Sequence, residues 1–325
     1  MSEDLVVGID LGGTKINTAL VDSTGHIVNQ DYRETRAAEG QAVVIERMVD
    51  AAFRVMAGAG VVPTQVRAVG VGAPGPIDSR VGTVVAPPNL PGWVSVPLGQ
   101  RIAAAVGIRT FLENDANAAA LGEYRFGAGR GTRHMVYVTV STGIGGGFII
   151  DGKLYSGATG GAAELGHTVI LPRGPRCGCG RQGCLEALAS GTAIAREGAE
   201  LVARGISTRL TDLAEGDPAR VTAKLVALAA AEGDTEARSI IEEAMMYLGL
   251  GLGNLVNLMN PEMLVIGGGL ANLGEVLFEP VRRFVRQRAF SPAAEVVRIV
   301  PAELGDTAGV LGAAAVAMAA METAH

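Results

Sequence analysis

Aromatic residues are scarce in this sequence. They make up 4% of the 325 residues, with a single tryptophan, although 48% of the residues are hydrophobic. We therefore expect a core built from valine, leucine, isoleucine and alanine. Glycine is abundant, with 46 residues, which disfavours a helical bundle and predicts tight turns or loops that approach a ligand. The length exceeds what one core fills efficiently, so two domains are expected.

The sequence also lacks a long apolar run and a cluster of lysine and arginine residues. Its most apolar stretch, GVLGAAAVAMAAM near the C-terminus, is shorter than the roughly 20 residues of a membrane-spanning helix, and we expect it to pack on the protein. The net charge of −6 disfavours a nucleic-acid partner. The N-terminal MSEDLVVGID does not resemble a signal peptide, so we expect a cytoplasmic protein without a membrane partner.

Cysteine occurs only three times, at Cys177, Cys179 and Cys184. An odd, clustered set is a poor disulfide framework and a good metal site. With His167, these residues match a closed tetrahedral zinc site, and such a site has no open position for a catalytic water. We therefore predict a structural zinc ion, with a disulfide or three free thiols as the alternatives.

Two similar segments indicate a duplicated domain plan. Residues 5–21 and residues 136–151 each read as an apolar strand, a glycine-rich turn and a second strand, although convergence on this pattern is an alternative. Further strands and helices alternate along the chain, which predicts an α/β architecture. The predicted strands are 66–74, 108–114 and 261–269, and the predicted helical stretches are 41–59, 116–125, 191–258 and 272–289. We expect a small domain formed by residues 1–119 and about 309–325, and a large domain formed by residues 120–308.

The segment from Asp10 to Lys15 is a candidate phosphate loop. Gly12 and Gly13 would let backbone N–H groups approach phosphate oxygens, and Thr14 and Lys15 would add a hydroxyl donor and a positive charge. Asp10 could hold Mg²⁺ through water, because Mg²⁺ prefers oxygen ligands and retains several waters. A simple hairpin turn explains the same residues.

Two further glycine-rich segments are candidates for nucleotide binding. Ser141–Gly147 contains Thr142 and four glycines, and we expect Thr142 and Gly143 to contact phosphate. The second segment follows an apolar strand, where small residues could make room for a flat adenine ring, and a plain turn between strand and helix is the alternative. Its residues are Gly267, Gly268 and Gly269.

Asp115 is the candidate catalytic residue. It lies where the strand FLEN gives way to a helix, and α/β proteins bind ligands at the carboxyl ends of strands. An aspartate that caps the helix N-terminus is the structural alternative, and the two interpretations are compatible.

These motifs, in this order, resemble the ROK family (repressors, open reading frames and kinases) along nearly the whole chain. The matching segments are DLGGT, ENDANAAALGE, STGIGGG, GHTVILPRGPRCGCGRQGCLE and IGGGLA. The resemblance implies an actin-like ATPase (ribonuclease H-like) fold, with two related domains around a cleft that binds ATP, Mg²⁺ and a sugar. It also implies a homodimer or a dimer of dimers.

The resemblance further assigns roles to single residues. Asp115 would be the general base that takes a proton from the sugar hydroxyl, and His167 would contact both zinc and the sugar. The other implied sugar-binding residues are Asn89, Asn114, Glu164 and Glu186. The segment from Asn89 to Trp93 is similar to that of ROK glucokinases, so the implied reaction is phosphorylation of D-glucose at its 6-hydroxyl.

Other functions stay open at this point. Within the kinases, the alternatives are N-acetylmannosamine kinase, N-acetylglucosamine kinase and fructokinase, and polyphosphate could replace ATP as the donor. A sugar-responsive repressor would carry a DNA-binding domain before the kinase-like part, which we do not expect here because the DLGGT motif begins at Asp10. A chaperone or filament ATPase would lack the cysteine block.

Overall fold

The computed structural model describes residues 4–87, 89–206 and 208–322 and confirms the α/β class. The strands are β1 (Leu5–Leu11), β2 (Lys15–Val21), β3 (Ile27–Glu34), β4 (Val66–Ala73), β5 (Ile77–Asp78), β6 (Thr83–Val84), β7 (Thr110–Asn114), β8 (Met135–Val140), β9 (Ile144–Ile150), β10 (Lys153–Leu154), β11 (Met263–Gly267) and β12 (Arg298–Pro301). The helices are α1 (Gln41–Gly58), α2 (Leu98–Val106), α3 (Asp115–Phe126), α4 (Leu185–Ala189), α5 (Gly191–Ala203), α6 (Arg209–Leu213), α7 (Ala223–Ala231), α8 (Thr235–Met259), α9 (Glu275–Arg288), α10 (Ala293–Val296) and α11 (Ala308–Glu322).

Two five-stranded sheets share one strand order. The first runs β3-β2-β1-β4-β7 and the second runs β10-β9-β8-β11-β12, so in each sheet three consecutive strands are followed by two later ones. In the first sheet, β1, β2 and β3 pair antiparallel, whereas β4 lies parallel to both β1 and β7. This common order confirms the duplicated plan that the two glycine-rich segments predicted. Strands β5 and β6 form a separate pair.

The chain divides into two compact units. Unit 1 comprises residues 1–137, 147–163 and 302–325, and unit 2 comprises residues 138–146 and 164–301. The domain bounds near residues 119 and 309 stay a prediction.

Unit 1 has helices on both faces of its sheet. On one face, α1 and α2 contribute residues such as Met48 and Ile102 to a buried aliphatic core. On the other face, α11 packs through Val310 and Ala314. A Cβ on Gly70 would overlap the backbone carbonyl of α11, so glycine lets this helix lie directly on the sheet. The alanine-rich C-terminal stretch is therefore a packed helix, as predicted.

The described helices include none that is long and apolar enough to cross a membrane.

Within unit 1, the parallel pairing of β1, β4 and β7 determines where the candidate site residues lie. Asp10 pairs with Gly72, and Ala73 pairs with Asn114, so the carboxyl ends of these three strands meet at one edge of the sheet.

Candidate active site

The segment from Asp10 to Lys15 forms the hairpin turn between β1 and β2. The Gly12 N–H donates to the Lys15 carbonyl at 2.8 Å, and the Thr35 hydroxyl donates to the Gly12 carbonyl at 2.6 Å. A Cβ on Gly13 would come within 3.1 Å of Asn89 Cβ, so Asn89 lies beside this turn. The Lys15 Nζ lies 5.3 Å from the centre of the Tyr32 ring. The turn thus has the hairpin geometry that was the simpler interpretation, and it brings Asn89 to the glycines.

The Asp10 carboxylate lies at the end of β1, against the first turn of α11. Burial, with a smaller contribution from the negative charge of Asp115, raises the pKa of Asp10 to about 7. A divalent cation beside these two carboxylates would favour their charged forms, because an opposite charge within a few ångströms lowers a carboxyl pKa. The electrostatics of this edge therefore fit the magnesium site expected at Asp10.

Asn114, rather than Asp115, caps helix α3. Its Oδ1 accepts hydrogen bonds from the N–H groups of Ala116 at 3.0 Å and Asn117 at 3.3 Å. The structural alternative, in which Asp115 is the N-cap, is therefore wrong, since Asp115 is the first residue of the helix. The Asp115 side chain is exposed, and its Oδ1 accepts the Ala116 N–H at 2.8 Å. The carboxylate is thus oriented by the helix and accessible from outside.

Glu113 is a site residue that sequence reasoning missed. It is buried at the end of β7, where its Oε1 accepts the Asn114 N–H at 2.9 Å and Asn117 Nδ2 at 3.0 Å. Burial raises its pKa, while the hydrogen bonds from Asn117, Asn114 and the Ser79 side chain oppose that shift. The network fixes the junction of β7 and α3 that carries Asp115. The sequence signal for this residue is a charged side chain within the otherwise apolar strand TFLEN, where a buried carboxylate needs hydrogen-bond partners.

In unit 2, the structure brings His167, Cys177, Cys179 and Cys184 together. Their donor atoms all lie within 4.8 Å of one another. His167 Nδ1 is 3.7 Å from Cys177 Sγ, and the Sγ atoms of Cys179 and Cys184 are also 3.7 Å apart. Zn–S bonds of about 2.3 Å in a tetrahedron place two sulfur ligands about 3.8 Å apart. The donor set and its spacing therefore fit a zinc ion.

Local backbone geometry forms this cluster. The Cys177 N–H donates to the Arg181 carbonyl at 2.8 Å, and Gly180, whose φ is 89°, donates to the Cys177 carbonyl at 2.9 Å. Only glycine adopts such a positive φ readily, so Gly180 permits the tight turn. Burial raises the pKa of Cys177 to about 12. A bound cation would reverse this preference, because a coordinating thiol is deprotonated by the metal.

Two carboxylates accompany the cluster. Glu186 Oε1 lies 3.6 Å from Cys177 Sγ, and its Oε2 accepts the Ile144 N–H at 3.0 Å. Glu164 is exposed at the start of the 3₁₀ turn Leu165–His167, where its carbonyl accepts the His167 N–H at 3.0 Å. Glu164, His167 and Glu186, which the resemblance assigns to sugar binding, therefore all lie in or next to the metal-binding loops of unit 2.

Only the first part of the glycine-rich segment after β8 forms a loop. Only Ser141–Gly143 forms the turn, closed by the Ser141 N–H donating to the Gly143 carbonyl at 2.9 Å. The remaining glycines, residues 145–147, lie inside β9, so the expectation of a loop over Ser141–Gly147 is wrong. Thr142 and Gly143 do lie in the turn, where a ligand could approach them.

Each of the three glycines at the end of β11 has a different structural environment. Gly267 ends the strand. Gly268 has a φ of 85°, and a Cβ there would lie 2.5 Å from the Val140 carbonyl oxygen, so packing on β8 requires glycine. A Cβ on Gly269 would meet only Ser141 Oγ, at 3.6 Å. Of the three, Gly269 has room beside it for a ligand.

Comparisons with known proteins identify the family and the fold of this chain. Residues 6–320 match the model of the ROK family. The chain is 40% identical over 311 residues to a glucokinase of Thermotoga maritima, covering 96% of each sequence. It resembles the crystal structure of a ROK hexokinase from Thermus thermophilus, with a TM-score of 0.83, 38% identity and coverage of 98% and 99% of the two chains.

A second solved structure is similar over the same length. It is a ROK family glucokinase from Streptomyces griseus in complex with glucose and AMPPNP, with a TM-score of 0.78 and 38% identity, covering 97% of this chain and 99% of that one. The likeness to these structures confirms the predicted actin-like ATPase fold.

Proposed function

The chain belongs to the ROK family, and we propose that it is a glucokinase that transfers the γ-phosphoryl group of ATP to the 6-hydroxyl of D-glucose. Support comes from curated glucokinases at 36–40% identity over about the whole chain. The main alternative is the same chemistry on an N-acetylated hexose, and its support is the similarity to N-acetylmannosamine kinases at 35% identity. Both reactions use the same residues for phosphoryl transfer.

The placement of Asp115 is the observation that carries this proposal. Its carboxylate is exposed at the start of α3, and the capping role belongs to Asn114. Asp115 accepts the proton of the 6-hydroxyl as the oxygen attacks phosphorus. Phosphoryl transfer needs mainly positioning and charge neutralisation, with one oriented carboxylate for the proton. The buried network around Glu113 keeps that carboxylate in place.

The nucleotide is held by the glycine turns. In unit 1, Asp10 would hold Mg²⁺ through water, and the turn formed by Gly12, Gly13, Thr14 and Lys15 contacts phosphate. When bound, Mg²⁺ neutralises charge on the phosphate oxygens. In unit 2, Thr142 and Gly143 contact phosphate through hydroxyl and backbone N–H groups. After β11, the residue that contacts adenine is Gly269, which has room beside it for a ligand.

The sugar is recognised by two kinds of polar side chain, carboxylates and amides. Glu164 and Glu186 accept hydrogen bonds from sugar hydroxyls, as carboxylates do. Asn114 donates through its Nδ2, because its Oδ1 already accepts two helix N–H groups. Asn89, next to Gly13, contacts a further hydroxyl.

His167, Cys177, Cys179 and Cys184 would hold a zinc ion with a structural role. His167 presents Nδ1 to the metal cluster, so its Nε2 is the nitrogen that contacts the sugar. We place the enzyme in the cytoplasm, where reducing conditions keep the thiolate ligands reduced, and we expect a homodimer or a dimer of dimers.

The proposed reaction is tested by identifying the product. Purified protein is incubated with ATP, Mg²⁺ and D-glucose, and the phosphate position is read by ³¹P NMR and by oxidation with glucose-6-phosphate dehydrogenase. The expected products are glucose 6-phosphate and an equal amount of ADP. ADP formation that does not depend on any hexose would overturn it.

A further inference from the structure

The turn Ser141–Gly143 is held by the N-terminus of α5. The Gly191 N–H donates to the Ser141 carbonyl at 2.7 Å. Thr192 donates twice to the Thr142 carbonyl, through its N–H at 3.3 Å and its hydroxyl Oγ1 at 2.8 Å. The first N–H groups of a helix have no partner within the helix. Here, two of them bind consecutive carbonyls of the turn.

Glu186 holds the other end of the same turn. Its Oε2 accepts the N–H of Ile144, the residue that follows Gly143. A Cβ on Gly143 would overlap this carboxylate, so the turn passes directly over Glu186. The short segment from Glu186 to Thr192 therefore contacts Ser141, Thr142 and Ile144.

This clamp determines where the N–H groups of the turn point. In a trans peptide, the carbonyl of one residue and the N–H of the next point in opposite directions. Because the Ser141 and Thr142 carbonyls face α5, the N–H groups of Thr142 and Gly143 face away from it. Within residues 4–87, 89–206 and 208–322, neither N–H donates to a backbone carbonyl. Two consecutive outward N–H groups form a concave site for an anion.

We propose that Thr192 is a positioning residue for the nucleotide: its hydroxyl fixes the Thr142 carbonyl, so that the N–H groups of Thr142 and Gly143 converge on a phosphate of ATP. This inference rests on the proposed kinase function, which makes a nucleotide phosphate the anion at this turn. Thr192 itself touches the turn, and it acts on the phosphate through Thr142 and Gly143.

The segment that clamps the turn also continues from the metal cluster. Cys184 immediately precedes α4, the Leu185 N–H donates to the Thr168 carbonyl at 2.9 Å, and α4 leads into Ser190, the N-cap of α5. About nine residues, from Cys184 to Thr192, therefore connect the metal-binding loop to the residue that holds the turn Ser141–Gly143.

Substitution of Thr192 separates this role from a merely structural one. Thr192→Val keeps the branched shape and removes the hydroxyl, and Thr192→Ser restores it. Thr235→Val is the matched control, because Thr235 is also an exposed threonine at the start of a helix in unit 2. Steady-state kinetics give KM for ATP and for glucose, and calorimetry gives the Kd of Mg–ADP without sugar.

We expect Thr192→Val to raise KM for ATP and Kd for Mg–ADP roughly three- to tenfold, the effect of one hydrogen bond. KM for glucose and the melting temperature should stay at wild-type values, Thr192→Ser should recover nucleotide affinity, and Thr235→Val should match wild type. Unchanged nucleotide affinity in Thr192→Val, or an equal rise in both KM values with a lower melting temperature, would overturn the inference. If wild type phosphorylates no hexose, the proposed function fails, and the calorimetric comparison still decides the role of Thr192.

Discussion

Gly309 lies directly against the carboxylate of Asp10. A Cβ placed on Gly309 would come within 2.5 Å of Asp10 Cγ, a separation that real Cβ contacts do not show. Gly309 is the second residue of α11, so glycine allows the first turn of this helix to approach the end of β1. The position of the Asp10 carboxylate thus depends on the absence of one methyl group.

Gly309→Ala should therefore displace Asp10 and lower kcat/KM for Mg–ATP by about tenfold to a hundredfold, since small misplacements in a site can have effects of that size. Gly99→Ala is a matched control, because Gly99 is the second residue of α2 and its added Cβ would make ordinary contacts of 3.5 Å. Kinetics and thermal unfolding of both variants check the prediction. Equal activity in the two variants would show that Asp10 tolerates the methyl group.

Asp115→Asn should reduce kcat by about 10²- to 10⁴-fold while glucose affinity is largely retained, because the amide cannot accept the hydroxyl proton. The melting temperature should stay near that of wild type, since Asn114 caps α3. Asp306→Asn, which changes another exposed aspartate of unit 1, should keep normal activity. Near-normal kcat in Asp115→Asn would remove Asp115 from the catalytic role.

The raised pKa of Asp10 predicts a pH-dependent stability. Asp10 has a pKa of about 7 in the folded chain against an ordinary value of 3.8, so between these values the folded state binds a proton that the unfolded state has released. The stability that the neutral carboxyl contributes is present below about pH 4 and is lost as the pH rises through about 7.

Asp10→Asn removes this titration. Without magnesium, the variant should melt at a higher temperature than wild type at about pH 8, and the difference should shrink toward about pH 5. Thermal unfolding in magnesium-free buffer across this range provides the measurement. A difference that is constant with pH would contradict the raised pKa.

Zinc content tests the metal cluster. Protein purified without chelator should contain a single zinc ion per chain by elemental analysis, and Cys179→Ser should lose both the metal and most of the activity. The loss is expected because the loop that carries the cysteines also carries Glu186. We expect local rather than global unfolding, although zinc–folding coupling in small fingers is on the order of 10 kcal/mol. Active wild-type enzyme without zinc would contradict the assignment.

Local sequence signals predicted most of the fold. The predicted helix over 41–59 is α1, the predicted strand over 66–74 is β4, and the alanine-rich end is α11. Each of these elements has a strong apolar pattern, and the pattern matches the burial that the structure gives it. The cysteine spacing was similarly informative, because Cys177, Cys179 and Cys184 are close in sequence and need only a tight loop to meet.

The details that sequence could not supply depend on contacts between distant segments. Asn114 and Asp115 are equally good N-caps by residue type, and only the backbone geometry distinguishes them. The contact between Gly309 and Asp10, like the hydrogen bonds from Thr192 to Thr142, joins segments whose proximity is a result of tertiary packing. Gly268 looked like room for adenine, and its partner is instead the neighbouring strand β8.

Phosphorylation of glucose by ATP is the proposed reaction, and kcat/KM across a panel of sugars measures its specificity. The panel consists of glucose, mannose, fructose, N-acetylglucosamine and N-acetylmannosamine, each with ATP and with polyphosphate as donor, since this ratio measures specificity. We expect the highest value for glucose with ATP. An N-acetylated sugar that exceeds glucose by about tenfold, or about 1.4 kcal/mol of transition-state binding, would contradict it.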